Sequence, residues 1–196
     1  MPVTQTDSHL TRGQVTENMT DNFQWLYDDV QQNKRAITSI NSQLARRNYL
    51  RSLSAYYELV LSNLRETTIK LLVDEFNLSG KWKFHELYPL MDETARLTEN
   101  GQVKLDLNRL PFLPLVAYTL KTYAKQVGFE REVLSDNRWE AFCETIKIRH
   151  RITHPKFHSE IEITDLELDI IDAGWKWWND ILKQLGDALY KKMVGG

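Results

Sequence analysis

The chain has a single cysteine, Cys143, among its 196 residues. No intramolecular disulfide can form, which suits a reducing compartment. The N-terminal stretch MPVTQTDSHLTRG lacks an apolar signal core, and no segment approaches the roughly 20 apolar residues of a membrane span. These absences lead us to expect a soluble, cytoplasmic protein with no membrane partner. Net charge is also small: 25 lysines and arginines stand against 27 acidic residues, a formal balance of -2. That argues against indiscriminate coating of nucleic acid, yet leaves room for a local electropositive pocket. No internal repeat and no low-complexity tract is present. With 27% charged and 42% hydrophobic residues, what remains is ordinary globular composition on a chain long enough for one sizeable core.

Residues 1–20 are polar and carry no core pattern, so a flexible N-terminal arm is expected there, followed by a single helical domain over 21–196. Trp25, Leu26, Val30, Ile37 and Ile40 support a first helix from about 21 to 42. Leu50, Leu53, Tyr57, Val60, Leu64, Leu71 and Leu72 then form the broad stripe of a long helix, ended by Asn77 and Gly80. KWKFHELYPLMDETARL is aromatic, broken by Pro89, and reads as short helices joined by turns. Val103, Leu105 and Leu107 alternate, an extended excursion too brief to predict a sheet. Pro111 and Pro114 open a helix to about Gly128, and Ser135 or Asp136 caps another that Pro155 stops. Thr164 and Glu167 have capping-box spacing. Behind them Leu168, Ile171, Trp175, Trp178, Leu182, Leu185 and Leu189 line one face of a final helix. Trp177 is displaced from that stripe and is expected at the surface or at an interface. The fold class is all-α, a helical bundle of about five main helices.

The chemistry concentrates in RHRITHPK, residues 149–156. On a helical wheel Trp139, Phe142, Cys143, Ile146, His150 and Thr153 fall on one side, and Ala141, Ile148 and Ile152 nearly opposite. A helix with two apolar faces is wedged between neighbours, so its C-terminal end should lie near the core or an interface. No carboxylate occurs from Thr145 through Ser159, whereas Lys147, Arg149, Arg151 and Lys156 are cationic. One explanation is an anion site. The other is structural, because cations at a helix C-terminus answer the negative end of its dipole. Arg149 and His154 stand five residues apart and do not stack as an i,i+4 pair. They converge only across a shallow cleft, through a bend near Pro155, or between two copies of the helix around a symmetry axis.

WEAFCETIKIRHRITHP resembles the signature helix of the HEPN superfamily (higher eukaryotes and prokaryotes nucleotide-binding), helical domains marked by Arg, a polar follower and a later His. Arg149 matches the arginine, His150 the follower and His154 the histidine, at Arg-x4-His spacing. The recognisable part spans about 20 residues, and the fold-level likeness runs over about positions 20–192. The resemblance implies a HEPN-like helical bundle and a metal-independent endoribonuclease that acts on RNA as a homodimer, with no cofactor and no metal. Arg149 and His154 would be catalytic, His150 supporting, and Arg151, Lys156 and Lys147 would hold RNA phosphates. The residue types suit the task. Histidine titrates near neutrality and can move the proton of a 2′-OH, while arginine offers a planar fork to phosphate oxygens. A 2′,3′-cyclic phosphate and a 5′-hydroxyl would result. The family setting adds a cognate antitoxin or regulatory protein as partner, in toxin–antitoxin or antiviral defence. The alternative reading is a non-catalytic HEPN-like module that binds nucleotide, RNA or protein.

Other features read more simply. His150, His154 and His158 have HxxxHxxxH spacing, but Pro155 interrupts the helix that would align them on a metal. The acidic run from Glu160 to Asp172 solvates the last helix and favours its positive end. Trp175 and Trp178 suit packing better than base stacking. His9 and His85 have no companions that make a site.

Overall fold

Asn41 adopts a φ of 41°, a left-handed conformation that its short polar side chain tolerates. With Ser42 it joins α1 (Arg12–Ile40) to α2 (Gln43–Ser79). The Ser42 hydroxyl accepts the Ala45 amide at 3.2 Å and caps α2. The helices double back as an antiparallel hairpin, in which Tyr27 meets Tyr56 and Lys34 lies over the Tyr49 ring. The computed structural model describes residues 12–79, 84–135 and 137–194. The chain continues as α3 (Phe84–Leu87), a 3-10 turn (Tyr88–Leu90), β1 (Glu93–Leu97), β2 (Val103–Leu107), α4 (Phe112–Gln126), α5 (Asn137–Thr153), a second 3-10 turn (His158–Ile161) and α6 (Asp165–Val194). Among the described residues the fold is an all-α bundle carrying one antiparallel strand pair.

Several boundaries differ from the sequence reading. Residues 12–20 belong to α1, so the arm expected over 1–20 is helical in that part. Extending an existing helix costs one fixed residue per added hydrogen bond, and it needs no apolar stripe once the helix is nucleated. Residues 1–11, together with the expected helix end Gly80 and the candidate cap Asp136, lie outside the described residues. The alternation at Val103, Leu105 and Leu107 does become a strand, because Glu93–Leu97 pairs with it in register. Gly101, at φ 73°, closes the turn between the two strands.

The core is built where α2, α5 and α6 meet. α6 begins as a capping box: Thr164 N donates to Glu167 Oε2 at 2.9 Å and Glu167 N to Thr164 Oγ1 at 3.2 Å. It runs antiparallel to α5 and comes so close that a Cβ on Gly174 would stand 2.9 Å from both Phe142 Cα and Thr145 Oγ1. Around that seam Phe142 stacks on Trp178 with centroids 5.2 Å apart, and meets Tyr57 of α2 at 5.1 Å and Trp177 at 5.1 Å. Trp177 is thus 2% exposed, a correction to the expected surface position. Its stripe is wider than one lengthwise seam because α6 is covered by α2 on one flank and by Trp139 and Phe142 of α5 on the other.

α5 is covered on both of its apolar sides: Phe142 is buried with Trp139 and Ile146 packed beside it, Ile148 and Ile152 are buried on the other side, and the buried Thr145 lies between them. Thr145 sits there because its hydroxyl donates to Ala141 O at 2.9 Å.

Two predictions follow from this packing. Gly174→Ala forces the α5 backbone to move, so it should destabilise the fold by about 1–3 kcal/mol, read as a lower urea midpoint at unchanged slope. Burial and the Asp172 carboxylate hold Tyr49 and Tyr57 far above the usual tyrosine value of 10.0, and burial pushes Tyr123 up to about 12. The phenols must therefore stay protonated in the folded chain while the unfolded chain ionises first. Stability should hold up to about pH 10 and fall as pH rises through the folded values, which a urea-midpoint series against pH will show.

Candidate functional site

The segment RHRITHPK closes α5. Thr153 Oγ1 donates to Arg149 O at 2.7 Å and His154 N to His150 O at 3.0 Å. Pro155 then has no N–H to continue the ladder. Beyond it the chain turns sharply: Lys156 N donates to Glu160 Oε2 at 2.6 Å, and Glu160 N to Phe157 O at 3.1 Å. The ligand-capable side chains are thus carried on the last rigid turn of a helix whose other face is locked into the aromatic core.

Arg149 leaves the helix on the side that faces α2 and the start of α4. Its side chain is 37% exposed, and Nη2 lies 3.0 Å from Glu58 Oε1 of α2. On one side is a hollow of 60 Å³ lined by Ser54, Glu58, Phe112, Ile146 and Arg149. On the other is an open groove of 390 Å³, with Pro111, Phe112 and Pro114 against Ile146 and with Lys147, Arg149 and His150 along the rim. An apolar floor with a cationic rim can take a flat apolar group and an anion at once.

His150 also reaches the other way. Its ring stands 5.0 Å, centroid to centroid, from that of His154, inclined at 52°. Both imidazoles are exposed. Arg149 and His154 share no hydrogen bond or ring contact, and His154 does not line the groove that Arg149 lines. Within one chain the expected catalytic pair is therefore bridged by His150 rather than joined.

The remaining cations divide into different tasks. Arg151, expected to hold phosphate, spends its fork on the protein: Nη1 donates to Glu160 O at 2.8 Å and Glu162 O at 3.0 Å, and Nη2 to Glu167 Oε1 at 2.6 Å. It clamps the loop after Pro155 onto the first turn of α6. Lys147 pairs with Glu144 at 2.6 Å and is exposed, and the Glu144 carboxylate holds its ammonium above the usual lysine range. Lys156 is exposed on the loop.

Glu58 and Phe112 escaped the sequence reading. Glu58 lies 91 positions from Arg149 in the chain, and neither residue carries a local signal of its role. Cys143 is half-buried, and burial pushes its thiol up despite the nearby Lys147, which disfavours the nucleophilic thiolate. His158 sits on the second 3-10 turn, off the axis of α5. Among the described residues no three His, Cys, Asp or Glu side chains gather in a metal-binding group. No helix among them is long and apolar enough to cross a membrane. Trp175 and Trp178 are packed into the core. Two further hollows, of 240 and 570 Å³, flank the loop between α4 and α5; the first is lined by Arg131 and Arg138 with Glu132 and Asp180, the second by Arg131, Lys191 and Lys192 with Glu130 and Asp187. Neither is lined by a histidine.

The division of labour between Arg149 and Arg151 is testable by stability alone. Arg151→Ala leaves the carbonyls of Glu160 and Glu162 without their donor, and should cost about 1–2 kcal/mol. Arg149→Ala removes a half-exposed ion pair, and should cost less than about 1 kcal/mol. Paired urea titrations of the two variants check the difference. No protein-family model matches this chain, and neither a curated protein nor a solved structure matches it.

Proposed function

We propose that the chain is a HEPN-like, metal-independent endoribonuclease whose site is completed by two copies. The observation that carries the reading is the placement of Arg149: a half-exposed guanidinium on the rim of an apolar groove, beside two touching imidazoles at the end of a rigid helix. Its only partner among the hydrogen bonds described is the exposed Glu58 carboxylate. Such a surface ion pair is worth at most about 1 kcal/mol, so a phosphodiester can replace it. Arg149 then holds the non-bridging oxygens as negative charge builds on them. His154 accepts the proton of the 2′-OH, which attacks the adjacent phosphorus, and a second imidazole returns a proton to the departing 5′-oxygen. Because one chain sets Arg149 and His154 on different flanks of α5, a two-fold homodimer is the arrangement that lets arginine and histidine act on one phosphate. His150 positions the His154 ring. Lys147 and Lys156 supply outlying phosphate contacts, and Arg151 supports the loop. A cytoplasmic defence or toxin–antitoxin role follows from the same reading, with an inhibitory protein covering the groove.

The test is cleavage of structured and unstructured RNA with EDTA present. Arg149→Ala and His154→Ala should each slow cleavage by about 100-fold or more, and the wild-type products should carry 2′,3′-cyclic phosphate ends. Equal cleavage by wild type and both variants would remove these residues from the reaction. A wild type that binds RNA without cutting it, with binding lost in Arg149→Ala, would establish the non-catalytic binding module instead.

A further inference from the structure

The β1–β2 hairpin presents its apolar face to solvent. Register places Ala95, Leu97, Val103, Leu105 and Leu107 on that face, with Glu93 at its end opposite Leu107, and Thr94, Arg96, Lys104 and Asp106 on the other. Leu97 is 72% exposed, Val103 67%, Leu105 59% and Leu107 64%. Among the described residues the sheet has only these two strands, and a hairpin this short gains little stability by itself. Its charges are also imperfectly matched. Lys104 stands directly opposite Arg96, a like-charge pair, while Asp106 binds Arg96 and reaches Lys104 only at 4.0 Å.

The backbone fixes which groups the open edge of β2 can offer. Thr98 N donates to Gln102 O at 2.9 Å and Asn108 N to Asp92 O at 2.8 Å. Antiparallel ladders alternate, so the residues bonded within the hairpin include Lys104 and Asp106. The N–H and C=O of Val103, Leu105 and Leu107 therefore point away from β1, and no described backbone group pairs with them.

We infer that this edge docks a second copy of the chain, with β2 pairing antiparallel to β2 about a two-fold axis at Leu105. Leu105 of each copy then exchanges both backbone hydrogen bonds with the other, and Val103 does the same with Leu107 of the second copy. Lys104 falls opposite Asp106 of the second copy, twice by symmetry, in the closer-spaced pairs of the ladder. The charge left unmatched within one hairpin is answered across the axis, and the exposed Val103, Leu105 and Leu107 side chains line up against one another along the seam. A register shifted by one residue would turn the inward-bonded amides to the edge, and one shifted by two would lose the Lys104–Asp106 match. The edge of β1 offers no such self-match: an axis at Ala95 sets Glu93 opposite Leu97 and Thr94 opposite Arg96. The contact is argued from the hairpin alone, and it serves the proposed RNA site only where one two-fold axis relates both the β2 edges and the α5 ends.

Sedimentation of the full chain over a dilution series, for wild type and charge variants, tests the pairing. The wild type should dimerise. Lys104→Asp relieves the clash with Arg96 inside the hairpin but sets two carboxylates opposite each other across the axis. It should therefore stay folded by circular dichroism while its dimer dissociation constant rises about tenfold or more. Adding Asp106→Lys to that variant reverses both signs and should restore the dimer. A monomeric wild type overturns the inference. So does a dimer indifferent to Lys104→Asp, which would place the contact on the apolar face or on another element, or a double variant that stays monomeric.

Discussion

α5 and α6 approach to backbone contact at Gly174, and the geometry of the motif depends on that approach. Without a side chain there, Phe142 can lie flat on Trp178 and still receive Tyr57 edge-on from α2. One phenyl ring thereby ties together helices far apart in sequence. Interiors packed at this density are stiff. The turns of α5 beyond Phe142 inherit a fixed axis, and the direction in which Arg149, His150 and His154 project is set by a contact up the helix from them.

A second set of contacts holds the other side of the motif. Arg46 is 7% exposed, and its guanidinium reaches Asn41 Oδ1, Ile163 O at 2.7 Å and Asp165 at 2.5 Å. Gln43 exchanges hydrogen bonds with the Ile163 backbone in both directions. The left-handed turn at Asn41 and the entry to α6 are therefore one joint. Arg151 closes the circuit from α5 to the same entry. The loop after Pro155 is tied by Arg151 to the carbonyls of Glu160 and Glu162, and by Lys156 N to the Glu160 carboxylate. A basic run in sequence becomes, in space, one anchoring arginine, one arginine at an open site, and lysines at the margin.

Much of the scaffold was legible because its signals are local. The Thr164–Glu167 capping box, the α2 stripe and the stop at Pro155 each need only neighbours a few positions away. Trp177 was misjudged for the complementary reason: a wheel shows which side chains share a face, not how many helices cover it. The hairpin was half visible in Val103, Leu105 and Leu107, but a strand exists only when a partner completes its hydrogen bonds, and Glu93–Leu97 advertised nothing.

By itself the sequence determined that the chain is helical, where most helices start and stop, and that Arg149, His150 and His154 arrive together at a helix end. Periodicity, capping and proline act over one or two turns, so they are written in order along the chain. Only the tertiary structure decided what each cation would do. Charge pairing depends on distance in space, and Glu58 and Glu167 come to their arginines from other helices. That is why Arg149 stands at the rim of a groove while Arg151, two residues on, is a fastening of the fold.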